Sequence, residues 1–72
     1  MILRKGYAER VWEVRYKING FEYALYIRGT EPEMQDYLDS EMDFVGRYHA
    51  LSDKEVDMVK ALKIPVYLAP SL

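Results

Sequence analysis

The sequence predicts an α+β domain: a two-layer sandwich in the order ββααβ, with a three-stranded, mostly antiparallel sheet and two helices on one face. Three features carry this reading. Residues 11–28 alternate apolar and polar side chains about a central Asn19-Gly20, two later segments open on Thr or Ser with Glu three positions on, and a short alternating run surrounds Pro65. Helices gathered on one face of an antiparallel sheet are a standard way to bury such faces. Residues 1–72 are read as a single small domain, near the size at which one core becomes marginal.

Asn19-Gly20 is the strongest short hairpin signal, because a type I′ turn needs φ > 0 at both central positions. Folding about it sets Ile18 opposite Phe21, Tyr16 opposite Tyr23, Val14 opposite Leu25 and Trp12 opposite Ile27 on one apolar face. The other face pairs Lys17 with Glu22, Arg15 with Ala24, Glu13 with Tyr26 and Val11 with Arg28. A slip of one residue would turn the aromatic set into water, so the register is strongly specified. The aromatic face is expected beneath the helices.

Thr30-Glu31-Pro32-Glu33 opens the first helix. Thr30 is the N-cap, Glu33 completes a capping box, and Pro32 is tolerated in the first turn, where its missing N–H has no helical partner. Met34, Tyr37, Leu38 and Met42 form its apolar stripe, and Gly46 suits the C′ position, so the helix should end between Glu41 and Val45. Arg47 to Leu51 read as a connector, with a short extended piece as the alternative. Ser52-Asp53-Lys54-Glu55 repeats the capping box and starts a second helix with Val56, Val59, Ala61 and Leu62 on its buried side. Pro65 stops it. Ile64, Val66 and Leu68 then alternate with Pro65, Tyr67 and Ala69 as a third strand, which its proline confines to an edge. That strand is expected beside the first and antiparallel to it, with parallel pairing to the second as the alternative.

Half of the residues are hydrophobic and 14% are aromatic, enough for a packed core and unlike a disordered segment. The lack of cysteine removes any disulfide framework, and the single His49 cannot supply the ligands of a zinc site. No metal and no cofactor are expected. A cysteine-free domain held by packing suits a reducing, cytoplasmic setting. Met1-Ile2-Leu3-Arg4-Lys5 is too short for the apolar region of a signal peptide, and nothing approaches a membrane span, so no membrane contact is expected.

The sequence offers no catalytic constellation. His49 reads as a connector residue, and Ser40, Ser52 and Ser71 lack a nucleophile motif. Asp36 with Ser40 and Asp39 with Asp43 stand at helical spacing, but such pairs are common on solvated helices and no calcium-loop pattern surrounds them. Gly-rich phosphate loops are absent. The chain is therefore expected not to be an enzyme.

Charge is distributed unevenly. Residues 1–28 hold six basic and three acidic side chains, and residues 29–72 hold four basic and nine acidic ones, for a net −2. Around the first helix, Glu31, Glu33, Asp36, Asp39, Glu41 and Asp43 meet no basic residue. Glu31 and Glu33 suit the positive end of the helix dipole, whereas Asp39, Glu41 and Asp43 oppose its negative end. Two readings follow: a solvated face that keeps an aromatic-rich protein soluble, and, since a local cost without a folding benefit is a mark of functional surfaces, an acidic surface that meets a basic partner.

These features favour a small acidic binding protein that occupies a partner's surface, the partner being another protein with a basic surface. Glu33, Asp36, Asp39, Glu41 and Asp43 would make the contact. Size and charge also suit a phage or mobile-element type of inhibitor acting on nucleic-acid-handling machinery. An alternative is a weak nucleic-acid binder using Arg15, Lys17, Tyr26 and Arg28 on an open sheet face. Asn19 to Tyr26 partly resembles the aromatic strand of RNA-recognition motifs, but Asn19 stands where a basic residue is usual, Glu22 interrupts the pattern, and Phe21 and Tyr23 are expected in the core. A further alternative is a structural subunit that oligomerises through the proline-marked edge strand.

Overall fold

The computed structural model describes residues 8–41 and 46–70. Strands β1 (Arg10–Ile18) and β2 (Phe21–Gly29) form the expected hairpin in the expected register, from Val11 opposite Arg28 to Ile18 opposite Phe21. Asn19 has φ 51° and Gly20 φ 84°, the two positive values of a type I′ turn.

Helix α1 (Glu31–Glu41) starts where its capping box predicts: the Glu33 N–H donates to Thr30 Oγ1 at 3.4 Å and the Thr30 N–H donates to Glu33 Oε1 at 2.9 Å. Met42 and Asp43 lie outside the described residues. Helix α2 (Asp53–Ala61) opens in the same way on Ser52, whose Oγ accepts from the Glu55 N–H at 3.3 Å while its own N–H donates to Glu55 Oε1 at 3.1 Å. At its far end the Lys63 N–H donates to the Lys60 carbonyl and the Ile64 N–H to the Val59 carbonyl, at 3.0 and 3.2 Å. This is a Schellman motif, with Lys63 in the left-handed region at φ 56° and Ile64 packed against the apolar cluster that holds Val59.

The sheet has four strands, not three, in the order β3-β1-β2-β4, where β3 is Gly46–Ala50 and β4 is Val66–Leu68. The segment read as a connector is therefore a strand. β3 pairs antiparallel with β1, placing Ala50 beside Trp12, Tyr48 beside Val14, Arg47 beside Arg15 and Gly46 beside Tyr16. Gly46 is accordingly the first residue of a strand and not a helix C′. Because β3 fills the site next to β1, the last strand takes the other edge and pairs parallel with β2, the arrangement held above as the alternative.

The helices also depart from expectation, since they lie on opposite faces of the sheet. Met34 and Leu38 of α1 pack on Trp12, Val14 and Ile27, whereas Val59 of α2 packs with Leu51 on Val11, whose side chain points the other way. Topology explains the three layers. β2, β3 and β4 all run parallel to one another; α1 crosses β1 in one direction and α2 returns across the sheet in the other. Crossovers of one hand that run in opposite directions must lie on opposite faces.

Trp12 is the pivot of the larger core. Its indole N–H donates to the Gly29 carbonyl at 2.9 Å, and its ring meets Tyr48 edge-on, with centroids 5.9 Å apart. The smaller core takes less of α2 than predicted: Val59 is buried and Val56 half-buried, but Ala61 and Leu62 are exposed.

Candidate functional site

Helix length decides which part of the hairpin stays open. The nine-residue strands β1 and β2 are about 30 Å long at ~3.3 Å per residue. The eleven residues of α1 span about 16 Å and the nine of α2 about 14 Å. Each helix covers the half of the hairpin that holds Val11, Trp12 and Ile27. The half that ends in the turn projects past both.

On the α1 face this leaves an aromatic surface. Ile18 is 51% exposed, Phe21 68% and Tyr23 45%, and the Tyr23 ring stacks on Tyr16 across the strands with centroids 5.6 Å apart. The expectation that Phe21 and Tyr23 are core residues is thus corrected: their alternation is real, but no helix among the described residues reaches them. The stack fixes two rings on a paired backbone, so the surface is presented with little side-chain freedom left to lose.

On the opposite face the projecting half carries charge. Glu13, with only 12% of its side chain exposed, anchors a network: its Oε1 accepts from Arg15 Nε at 2.8 Å and its Oε2 from the Tyr26 hydroxyl at 2.9 Å. His49 Nδ1 stands 4.0 Å from the same Oε1. The Arg15 hydrogen bond holds the Glu13 carboxyl below its ordinary value against the opposing effect of burial. Burial, then donation to Glu13, pushes the Tyr26 hydroxyl up. Arg15 also donates to Glu22 at 2.9 Å, so two carboxylates fix its guanidinium. Beyond it, Arg15, Lys17, Glu22 and Arg47 border a groove of about 330 Å³.

The predicted acidic contact residues are only partly assembled. Asp36 and Asp39 are exposed on α1, and Asp39 lines a cleft with Gln35, Leu38 and Tyr48. Glu33 is held in the capping box with Thr30. Glu41 ends α1, and Asp43 lies outside the described residues.

The sheet residues offered as an alternative surface are divided as well. Arg15 and Lys17 are together, but Tyr26 packs against the smaller core and Arg28 pairs with Glu9 at 3.2 Å near the opposite end of the hairpin. That face is open only in its distal half, because α2 occupies the rest. Arg47 was missed because the segment holding it was read as a connector; the alternation of Tyr48 and Ala50 with exposed neighbours is the signal that could have revealed it.

A smaller cleft of about 190 Å³ lies between α2 and the sheet, lined by Tyr26, Met58, Val59, Leu62 and Ile64 among others. It is smaller than the roughly 300–1,000 Å³ of ordinary small-molecule pockets. No group of metal-ligating side chains occurs among the described residues, and none of their helices is long and apolar enough to cross a membrane. Comparison with protein-family models, with curated proteins and with solved structures finds no match to this chain.

Proposed function

We propose that this chain is a non-catalytic protein-binding module that acts by occupying a partner's surface. The observation that carries the reading is the exposed Ile18, Phe21 and Tyr23 on a hairpin that projects beyond its own helix. Aromatic side chains on a rigid strand, desolvated by a partner, are the groups that dominate interface energetics.

α1 supplies an acidic flank to the same face. It leaves the sheet at Gly29 and leads to β3, whose first residue lies opposite Tyr16, so it travels toward the aromatic half. Asp36 and Asp39, both exposed on α1, add negative charge on the side of the sheet that carries the aromatic surface, which suits a partner with a basic surface. A compact acidic module of this kind fits an inhibitor of nucleic-acid-handling machinery, of the phage or mobile-element type, whose basic surfaces expect phosphate.

The test is partner capture from the native host by the wild-type chain, by Phe21→Ser/Tyr23→Ser and by Asp36→Lys/Asp39→Lys. Loss of an aromatic hot spot worth about 2 kcal/mol weakens binding roughly 30-fold. The charge-reversed variant should bind more slowly, and wild-type association should slow as ionic strength rises. Unchanged capture by both folded variants would refute the assignment.

A further inference from the structure

The face opposite the aromatic surface holds an arrangement that folding does not explain. Arg15 and Arg47 stand directly opposite each other on β1 and β3. Like charges in that position destabilise a sheet. Lys17 lies two residues beyond Arg15 on the same face, so three cations border one groove. Glu22 is the only acid lining it and is already held by Arg15, whereas Lys17 and Arg47 make no ion pair among the described residues.

We infer that the Arg15–Lys17–Arg47 groove is an anion site for the phosphodiester backbone of a single-stranded nucleic acid. Three features support this occupant. The cations follow one another along a strand and across to its neighbour, so they match repeated negative charge better than one isolated anion. The guanidinium of Arg15 is pre-oriented by Glu13 and Glu22, which lowers the entropy lost on binding. The groove, at about 330 Å³, is open and four of the six residues that line it are charged, so it would read charge before sequence. The net charge of −2 opposes general attraction to nucleic acid, which confines binding to this groove.

This site is independent of the aromatic surface and can be tested separately. The probe is a fluorescently labelled 20-nucleotide oligo-dT, followed by anisotropy at 50 and 200 mM salt with the full chain. Arg15 is already paired with Glu13 and Glu22, so two phosphates neutralised by Lys17 and Arg47 predict a slope of about −1.4 in log K against log salt, or roughly a 7-fold loss of affinity over that range. Arg47→Gln and Lys17→Gln should each flatten the slope by about 0.7. Both side chains are exposed and make no ion pair among the described residues, so neither variant should melt below wild type, and a melting curve checks this. Asp36→Lys/Asp39→Lys, on the other face, should leave the contribution of Arg47 and Lys17 to the slope intact. Absence of binding at 50 mM, or binding indifferent to both Gln variants, would overturn the proposal. Equal affinity for polyglutamate would assign the groove to an acidic protein segment and overturn it too.

Discussion

The indole N–H of Trp12 donates to the carbonyl oxygen of Gly29 at 2.9 Å in the buried end of the hairpin. One side chain thus fills the larger core and satisfies a backbone acceptor where β2 gives way to α1. The two roles separate by substitution. Trp12→Phe keeps a ring but leaves the carbonyl without that donor, at a cost of about 1–3 kcal/mol. Trp12→Ala also removes the packing and costs about 3–5 kcal/mol, a large part of the total stability of so small a domain. Chemical denaturation measures both, and equal stability of Trp12→Phe and wild type would show that the hydrogen bond contributes nothing.

The ends of the helices should respond in opposite directions. Thr30→Ala and Ser52→Ala each remove a capping box and should destabilise by about 0.5–2 kcal/mol. Lys63→Gly should stabilise by about 1 kcal/mol, because Lys63 holds the left-handed Schellman position at φ 56° where a Cβ is penalised. Thermal melts of the three variants provide the comparison. A lower melting temperature for Lys63→Gly would contradict the assigned conformation.

Acid should weaken the fold partly through Glu13. Its carboxyl titrates below the ordinary 4.5 in the folded chain, first because Arg15 donates to it. Above 4.5 it is ionised in both folded and unfolded states, and its stabilising contribution is complete. Below 4.5 the unfolded chain takes up the proton first, so stability falls until the folded carboxyl is protonated as well. Glu13→Gln should therefore flatten the dependence of stability on pH between about pH 5 and pH 3. Part of the slope should persist from Glu55, whose carboxyl is also lowered by its hydrogen bonds with Ser52. An unchanged acid limb in Glu13→Gln would exclude this account.

Local features of the fold were written where neighbouring residues sufficed to specify them. Asn19-Gly20 imposes a turn that fixes the whole hairpin register, and Thr30 and Ser52 each find their capping partner three residues on. The buried stripe of Met34 and Leu38 follows from helical spacing in the same way. The candidate surfaces were legible in their residue types: alternating aromatics on one side of the hairpin, Arg15 and Lys17 on the other, and acids along α1. Which of them face water was not legible from alternation alone, because a period of two says that residues share a face and not that anything covers it. Tyr23 and Trp12 look alike in the sequence, yet one lies beyond the reach of α1 and the other beneath it. Tertiary structure also decided the pairing of β3 with β1. That contact brings Arg47 beside Arg15 and displaces the last strand to the far side of β2. Once those strands were placed, the two crossovers ran in opposite directions, and the helices had to take opposite faces. Hairpin register depends on a two-residue turn; strand order and helix placement depend on how distant segments compete for the same sheet edge.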